Sequence, residues 1–290
     1  MPARPAPDRR ASVAVVIPTV DEERTIGPIC ESLGRLRRAG CIDRVIVVDE
    51  SQDRTAEVAA YAGAEVVRQS EIRPDVGPVV GKGDAMWRGL QLVEQEICVF
   101  VDGDTRDFDP AVVERLVAAV EHGYAFVKAD YDRPWDDGRG AVLPHGGGRV
   151  TELTAKPLLR AFFPQLARLG QPLAGELAAR TDLLRTLPFV TGYGVDVALL
   201  IDAAERCGAA AIGEVRVAPR QNRHRPLGEL GPMADAVSQA ILARAGLAER
   251  PVERPAADRR SERWGGAIER ALLSAPQPEA HPVALSEQAA

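Results

Sequence analysis

Cysteine is scarce in this sequence, and its four cysteines are not spaced as metal ligands. They are Cys30, Cys41, Cys98 and Cys207. Cys98 lies inside an apolar run, where a reduced thiol is expected. Because disulfides persist mainly in oxidising compartments, reduced cysteines predict a cytoplasmic protein and exclude a disulfide framework.

An excess of basic charge and a long apolar run are both absent. The 290 residues carry 36 basic and 42 acidic side chains, for a formal net charge of −6, so no global positive field attracts nucleic acid. No apolar stretch approaches the roughly 20 residues that cross a bilayer. The Pro- and Arg-rich segment 1–12 lacks the apolar centre of a signal peptide. We expect neither nucleic acid nor a membrane among the partners.

Short apolar segments alternate with segments of helical periodicity, which predicts βαβ units and a mainly parallel sheet. The predicted strands are 13–17, 45–48, 64–67, 97–101, 124–129 and 211–217. The predicted helices are 22–38, 55–62, 85–94, 111–121, 152–161, 177–187, 195–204 and 230–245. Ligands of such sheets bind at the carboxyl ends of the strands. Residues that follow strands 45–48 and 97–101 are therefore expected at one shared site.

Two carboxylates, Asp102 and Asp104, stand one residue apart at the end of the apolar run 97–101. Gly103 between them permits a tight turn. Mg²⁺ and Mn²⁺ take carboxylates together with substrate phosphate oxygens, so the pair suits a cation that carries a diphosphate. The alternative is a solvated acidic turn. Acidic residues also follow the first two strands. The helix dipole favours negative charge at a helix N-terminus, and this would explain those residues equally well.

Several ordered motifs resemble those of glucosyl-3-phosphoglycerate synthases, which are retaining glycosyltransferases of the GT-A fold. The resemblance extends over about residues 12–245, in the family's order. Its motifs are GKGDAMWR at 81–88, GGRVTEL at 147–153, KPLL at 156–159, QPLAGE at 171–176, GYGVD at 192–196, LLID at 199–202 and RPLGELGPM at 225–233.

The resemblance implies an α/β GT-A fold: a Rossmann-like, mainly parallel sheet flanked by helices, with a C-terminal acceptor-binding portion. Residues 12–135 would form the nucleotide-sugar-binding half and 136–248 the acceptor-binding half of the same domain, with a mobile glycine-rich loop at 138–148. Segment 1–11 is expected to be a disordered lead. Segment 249–290 is expected to be a tail that is partly disordered or serves as a dimer arm, with one possible helix at 260–273.

The activity implied is a retaining transfer of glucose from UDP- or GDP-glucose to the 2-hydroxyl of 3-phosphoglycerate, with a divalent metal and usually as a homodimer. Lys82 would contact the nucleotide phosphates, which suits a point charge between two glycines, and would act in catalysis with Asp196. Asp104 would be the direct metal ligand. The predicted donor-binding residues are Pro18, Thr19, Val20, Glu22, Glu50, Lys82, Asp102 and Gly103.

The resemblance also implies an anion site for the acceptor. Gly148, Arg149 and Thr151 would hold its phosphate or carboxylate, since a guanidinium beside a glycine backbone and a hydroxyl binds anions well. The remaining predicted acceptor-binding residues are Asp130, Tyr193 and Asn222.

The chain departs from the family at two positions that bear on catalysis. Asp196 stands where the family has glutamate, and it either orients the acceptor or sugar hydroxyls or caps the following helix. The family's metal-binding histidine aligns with Asn222, while His224 lies two residues further on. Imidazole is the better ligand, so His224 is predicted to bind the metal with Asp104. The alternatives are a metal held through Asn222 and water, and a surface histidine without a role.

Negative charge replaces other residues in the expected acceptor region. Asp130 and Asp132 stand where the family has an aromatic residue and an arginine, and two more aspartates follow within five residues. Each carboxylate near an anionic acceptor would cost about 1 kcal/mol, whereas an amino-bearing acceptor would be attracted. An amino sugar or aminocyclitol of a natural-product pathway is therefore an alternative acceptor. Arg149 and Thr151 favour the anion, and the acceptor stays open.

Two other function classes are alternatives to the glycosyltransferase. A sugar-1-phosphate nucleotidyltransferase shares a nucleotide-binding α/β sheet, but its usual signature is a glycine-rich loop with Arg and Lys after the first strand. Here PTVDEE at 18–23 occupies that place. A nucleotide-sugar-binding protein without catalysis is the third class, motivated by the altered metal loop. The retained Asp102 and Asp104 argue against it.

Overall fold

The computed structural model describes residues 10–136, 142–143, 146–220 and 227–256. Several predictions concern residues outside these ranges. They are the lead at 1–9, part of the glycine-rich loop at 138–148, the placement of Asn222 and His224, and the possible helix at 260–273.

Strands account for a seven-stranded sheet and two short pairs within the described residues. The strands are β1 (Val13–Thr19), β2 (Arg44–Asp49), β3 (Glu65–Arg68), β4 (Ile97–Phe100), β5 (Phe126–Asp130), β6 (Trp135–Asp136), β7 (Val142–Leu143), β8 (Leu177–Arg180), β9 (Phe189–Val190), β10 (Ile212–Arg216) and β11 (Glu253–Arg254). The large sheet has the order β10-β5-β8-β4-β1-β2-β3. All its neighbouring pairs are parallel except those of β8, which runs antiparallel to β4 and β5. The predicted mainly parallel α/β sheet is confirmed.

Helices cover both faces of the large sheet. They are α1 (Ile26–Arg38), α2 (Thr55–Tyr61), α3 (Gly81–Leu90), α4 (Ala111–Glu121), α5 (Lys156–Phe162), α6 (Thr181–Arg185), α7 (Val195–Cys207) and α8 (Leu227–Arg244). Alternate residues of β1 supply two cores: Val13, Val15 and Ile17 face α1 and α4, while Ala14 and Val16 belong to the core with α3 and α7. Burial on both faces explains why this strand is an unbroken apolar run.

The predicted helix at 177–187 is wrong in its first part, which is strand β8 followed by α6. Leucine and alanine favour helix by intrinsic propensity. Here Leu177, Ala178 and Ala179 are fully buried and pair with both β4 and β5, so tertiary pairing overrides propensity.

Helix α3 begins four residues before the prediction, at Gly81 rather than at residue 85. Glycines lower helix propensity, so Gly81 and Gly83 give no signal for a helix start in the sequence. A side chain at Gly83 would put its Cβ 1.7 Å from the backbone oxygen of Val190, so close packing on β9 requires glycine there. Lys82 consequently sits in the first turn of a helix.

The described part of the C-terminal tail folds back onto the domain. Strand β11 pairs antiparallel with β9. The buried Arg244 at the end of α8 contacts Asp202 at 2.5 Å and Glu253 at 3.0 Å. Residues 250–256 are thus held by their own chain. Among the described residues, no helix is both long and apolar enough to span a bilayer.

Candidate active site

A cavity of about 660 Å³ lies where β1, β2 and β4 end. Every described residue that was predicted for the donor, for catalysis or for the metal lines it. These residues are Pro18, Thr19, Val20, Glu22, Glu50, Lys82, Asp102, Gly103, Asp104 and Asp196. Gly148, Arg149, Thr151 and Tyr193 of the predicted acceptor site line the same cavity. The parallel sheet therefore brings distant segments to one edge.

Lys82 bridges two carboxylates at the centre of the cavity. Its Nζ lies 2.8 Å from Oδ1 of Asp102 and 3.0 Å from Oδ2 of Asp196. Burial alone would lower the pKa of Lys82, but these two carboxylates outweigh burial and raise the pKa above its ordinary value. Burial works to raise the pKa of Asp102, yet the Lys82 ammonium outweighs it and the pKa is lowered. The site therefore places the Lys82 ammonium between the carboxylates of Asp102 and Asp196.

Asp196 lies in the first turn of α7, two residues after the N-cap residue Gly194. One carboxylate oxygen accepts from Lys82, and the other, Oδ1, is buried without a hydrogen-bond partner among the described residues. A buried acceptor without a donor normally finds one in a ligand or water. This geometry favours the interpretation that Asp196 orients a substrate hydroxyl over the capping interpretation.

Lys128 lies beneath this group and was not predicted. It is fully buried on β5, and its Nζ donates to the backbone oxygen of Asp196 at 3.2 Å. Burial lowers the pKa of Lys128 to about 8, although the Asp196 and Asp102 carboxylates oppose the shift.

The acidic pair after β4 has the chemistry of a hard-cation site. Asp102 and Asp104 both line the cavity, and Thr25 Oγ1 donates to the backbone oxygen of Gly103 at 2.7 Å, which fixes the turn between them. Two carboxylates that line a cavity beside a lysine suit a cation that takes its other oxygen ligands from a diphosphate. The described residues include no cluster of three or more His, Cys, Asp or Glu side chains that could hold a metal ion. Asp49, the last residue of β2, does not line the cavity. It is buried and accepts from Thr19 Oγ1 at 2.8 Å.

Two arginines that line the cavity were missed by sequence reasoning. The guanidinium carbons of Arg133 and Arg220 lie 5.1 and 5.0 Å from the ring centroid of Tyr131. Tyr131 Oη accepts from Arg133 Nη2 at 3.0 Å and donates to Glu176 Oε2 at 3.2 Å, and Arg220 forms an ion pair with the same carboxylate. The signal available in the sequence was Tyr131, an aromatic residue two positions before Arg133, because guanidinium groups stack on aromatic rings. Together with Arg149 they make one side of the cavity basic.

Asp130 does not line the cavity, unlike the other described acceptor-site predictions. Its carboxylate pairs with Arg216 Nη1 at 2.8 Å, and Arg216 Nη2 also contacts Asp132. One arginine thus pairs with two of the aspartates that distinguish this chain and offsets part of their negative charge. Asn222 and His224 lie outside the described residues, so their predicted roles stay predictions.

Comparison with known proteins agrees with this geometry. Residues 14–166 match the family described as Glycosyl transferase family 2. The chain is 43% identical over 241 residues to the glucosyl-3-phosphoglycerate synthase of Mycolicibacterium paratuberculosis, covering 81% of this chain and 73% of the relative. It belongs to the glucosyl-3-phosphoglycerate synthase family. The protein is a glycosyltransferase, and the residues above form its candidate active site.

Two solved structures of similar proteins extend the comparison. One is glucosyl-3-phosphoglycerate synthase from Mycobacterium tuberculosis in complex with Mn²⁺, UDP-glucose and phosphoglyceric acid. It has a TM-score of 0.77 and 38% identity over 85% of this chain and 90% of that one. The other is mannosyl-3-phosphoglycerate synthase from Rubrobacter xylanophilus, with a TM-score of 0.75 and 40% identity over 83% of this chain and 76% of that one. The expected GT-A fold of the family is thereby confirmed.

Proposed function

We propose that this protein transfers glucose from UDP-glucose to the 2-hydroxyl of 3-phosphoglycerate, with retention of configuration and dependence on Mg²⁺ or Mn²⁺. The single observation that carries the proposal is the cavity in which Lys82, Asp102, Asp104 and Asp196 meet a basic acceptor side. The Mycobacterium tuberculosis relative, similar over 85% of this chain, was solved with these substrates and Mn²⁺.

The donor side of the cavity has groups suited to a nucleoside diphosphate. Pro18, Thr19, Val20 and Glu50 would bind the nucleoside, since they line the cavity at the ends of β1 and β2. Lys82 would hold the diphosphate and stabilise the negative charge that develops on it as the sugar departs. Preorganised charge of this kind supplies the largest catalytic contribution in many enzymes.

The metal site would be formed by Asp104, with Asp102 beside it and His224 as the proposed further ligand. A divalent cation bound there would supply charge stabilisation for the leaving diphosphate. Asp104 is the direct ligand that the family resemblance implies, and it lines the cavity beside Asp102, which pairs with Lys82.

The acceptor side favours an anion. Arg133, Arg149 and Arg220 line it together with Gly148 and Thr151. Asp130 and Asp132, whose charge motivated the amino-bearing acceptor, are paired with Arg216, and neither lines the cavity. A guanidinium cluster recognises phosphate and carboxylate, both of which 3-phosphoglycerate carries. Asp196 Oδ1 would then orient the attacking hydroxyl on the face from which the diphosphate leaves.

The donor sugar needs its own test, because the Rubrobacter xylanophilus neighbour is a mannosyl-3-phosphoglycerate synthase at 40% identity. Turnover should be measured with UDP-glucose, GDP-glucose and GDP-mannose, each with 3-phosphoglycerate and with a panel of amino sugars and aminocyclitols. We expect UDP-glucose with 3-phosphoglycerate to give the highest kcat/KM. Transfer to amines alone would overturn the acceptor, and hydrolysis of UDP-glucose without transfer would argue for a different acceptor class.

We also propose that the enzyme is cytoplasmic. All four cysteines are free, and Cys30 and Cys98 are buried, which supports a reducing cytoplasm. The homodimer implied by the family stays a prediction.

A further inference from the structure

The C-terminal segment 250–256 reaches the loop that leads into the catalytic helix α3. Strand β11 pairs with β9, and the backbone N–H of Thr191 donates to the oxygen of Val252 at 3.0 Å. Trp87 Nε1 on α3 donates to the backbone oxygen of Pro255 at 2.8 Å. The segment therefore contacts α3, which carries Lys82, and β9, which packs against Gly83.

Arg254 makes the most specific of these contacts. Its Nε donates to Oδ1 of Asp84 at 2.5 Å, Nη1 to the oxygen of Val76 at 2.7 Å, and Nη2 to the oxygen of Pro78 at 3.0 Å. Its side chain is 13% exposed. One planar guanidinium thus joins a buried carboxylate to two carbonyls of a loop, a task that the single ammonium of lysine cannot perform in the same geometry.

Asp84, the carboxylate that Arg254 contacts, connects the loop to α3. It is fully buried and accepts from Gln69 Nε2 at 3.1 Å, from the N–H of Val80 at 3.0 Å and from Arg88 Nε at 3.0 Å. It lies two residues after Lys82. Displacement of Asp84 would therefore move the turn that carries the catalytic lysine.

The loop 72–80 is held from two sides. The buried Arg88 donates to the oxygens of Ile72, Arg73 and Gly77 from within the domain. Arg254 donates to Val76 and Pro78 from the C-terminal segment. Val79 of this loop lines the active-site cavity, so the shape of the donor side depends on how the loop is fixed.

We infer that Arg254 is a positioning residue: it holds loop 72–80 and, through Asp84, aligns Lys82 for the diphosphate of the donor. The inference rests on the proposed function only where it is tested by kinetics with UDP-glucose and 3-phosphoglycerate. Arg254 touches none of the substrate-facing groups itself. Its effect should reach donor binding and not acceptor binding, because the arginines and Thr151 that would bind the acceptor's anionic groups lie on other segments.

The test compares Arg254→Ala with Arg250→Ala, an arginine of the same segment whose side chain is 55% exposed and pairs with Glu253. Steady-state kinetics are measured for UDP-glucose and for 3-phosphoglycerate, and hydrogen exchange is followed by mass spectrometry over residues 76–85. For Arg254→Ala we expect the KM for UDP-glucose to rise about tenfold, as for loss of a charged hydrogen bond, with the KM for 3-phosphoglycerate unchanged. Exchange over 76–85 should be faster than in Arg250→Ala.

An unchanged donor KM together with unchanged exchange in Arg254→Ala would overturn the inference, as would equal rises in both KM values. If Arg254→Ala does not fold, Arg254→Lys keeps the charge but not the three simultaneous hydrogen bonds, and the same comparison decides. If the wild-type enzyme fails to turn over UDP-glucose and 3-phosphoglycerate, the proposed function fails. The exchange measurement then still decides whether Arg254 fixes the loop.

Discussion

Gly175 lies directly against the carboxylate of Asp102. A Cβ at residue 175 would stand 2.0 Å from Oδ2 and 2.2 Å from Cγ of Asp102. Gly175→Ala must therefore displace this carboxylate, which would break its ion pair with Lys82. We expect kcat/KM to fall about a hundredfold, the scale of losing one preorganised charged group.

A matched control for Gly175→Ala is available in α8. Gly231→Ala introduces the same methyl group where no atom lies within 4 Å of the new Cβ. It should leave kcat/KM unchanged. Equal activity of the two variants would contradict the role assigned to the position of Asp102.

Lys82 is predicted to act on the diphosphate. Lys82→Met removes the ammonium group that lies between the carboxylates of Asp102 and Asp196. We expect kcat/KM for UDP-glucose to fall by about 10²–10³. The control is Lys156→Met, which removes a lysine of α5 that pairs with Glu152 and should have little effect on kcat/KM. Isothermal titration with UDP and Mn²⁺ checks whether the loss is in donor binding. Unimpaired UDP binding and turnover in Lys82→Met would exclude this role.

Asp104 is predicted to bind the cation directly. EDTA should abolish turnover, and Mn²⁺ or Mg²⁺ should restore it. In Asp104→Asn the metal concentration for half-maximal activity should rise about tenfold or more, because a neutral amide oxygen replaces a carboxylate on a hard cation. Asp107→Asn, three residues away and exposed, is the control. Turnover that persists in EDTA would refute metal dependence.

The buried Lys128 predicts a pH dependence of stability. Burial lowers its pKa from the ordinary value of 10.5 to about 8. Between these values the unfolded chain binds more protons than the folded one, so the contribution of Lys128 to stability rises with pH. Below pH 8 the lysine is protonated in both states, and burying its charge lowers the free energy of unfolding by about 3 kcal/mol at most.

Urea denaturation of wild type and Lys128→Met between pH 7 and 10.5 measures this contribution. The free energy of unfolding of wild type relative to the variant should increase across that range. A constant difference between the two proteins would show that the pKa of Lys128 is not lowered.

Sequence reasoning identified the parts of the fold that follow from periodicity. The run 97–101 was recognised as a buried strand because it is continuous and apolar, and α1 because its apolar residues recur at helical spacing. The site residues after β1, β2 and β4 were predicted from the family resemblance, and they line one cavity because strand ends in a parallel sheet share one edge. Their motifs added Lys82 and Asp196, which no periodicity would connect across 114 residues.

What the sequence did not reveal depends on tertiary contacts. Strand β8 has a helix-favouring composition and becomes a strand by filling the gap between β4 and β5. Asp130 and Asp132 looked like a negative acceptor site until Arg216, more than 80 residues away, was seen to pair with both. Arg220 was missed because its partner Glu176 is remote in sequence.

The most direct test of the central claim is the anomeric configuration of the product. Purified enzyme is incubated with ¹³C-glucose-labelled UDP-glucose, 3-phosphoglycerate and Mn²⁺, and the product is analysed by NMR. Our account predicts a single α-glucoside on the 2-hydroxyl of 3-phosphoglycerate, formed with Mn²⁺ and lost in EDTA. A β-glucoside, or labelled product formed only when an amino-bearing acceptor replaces 3-phosphoglycerate, would contradict it.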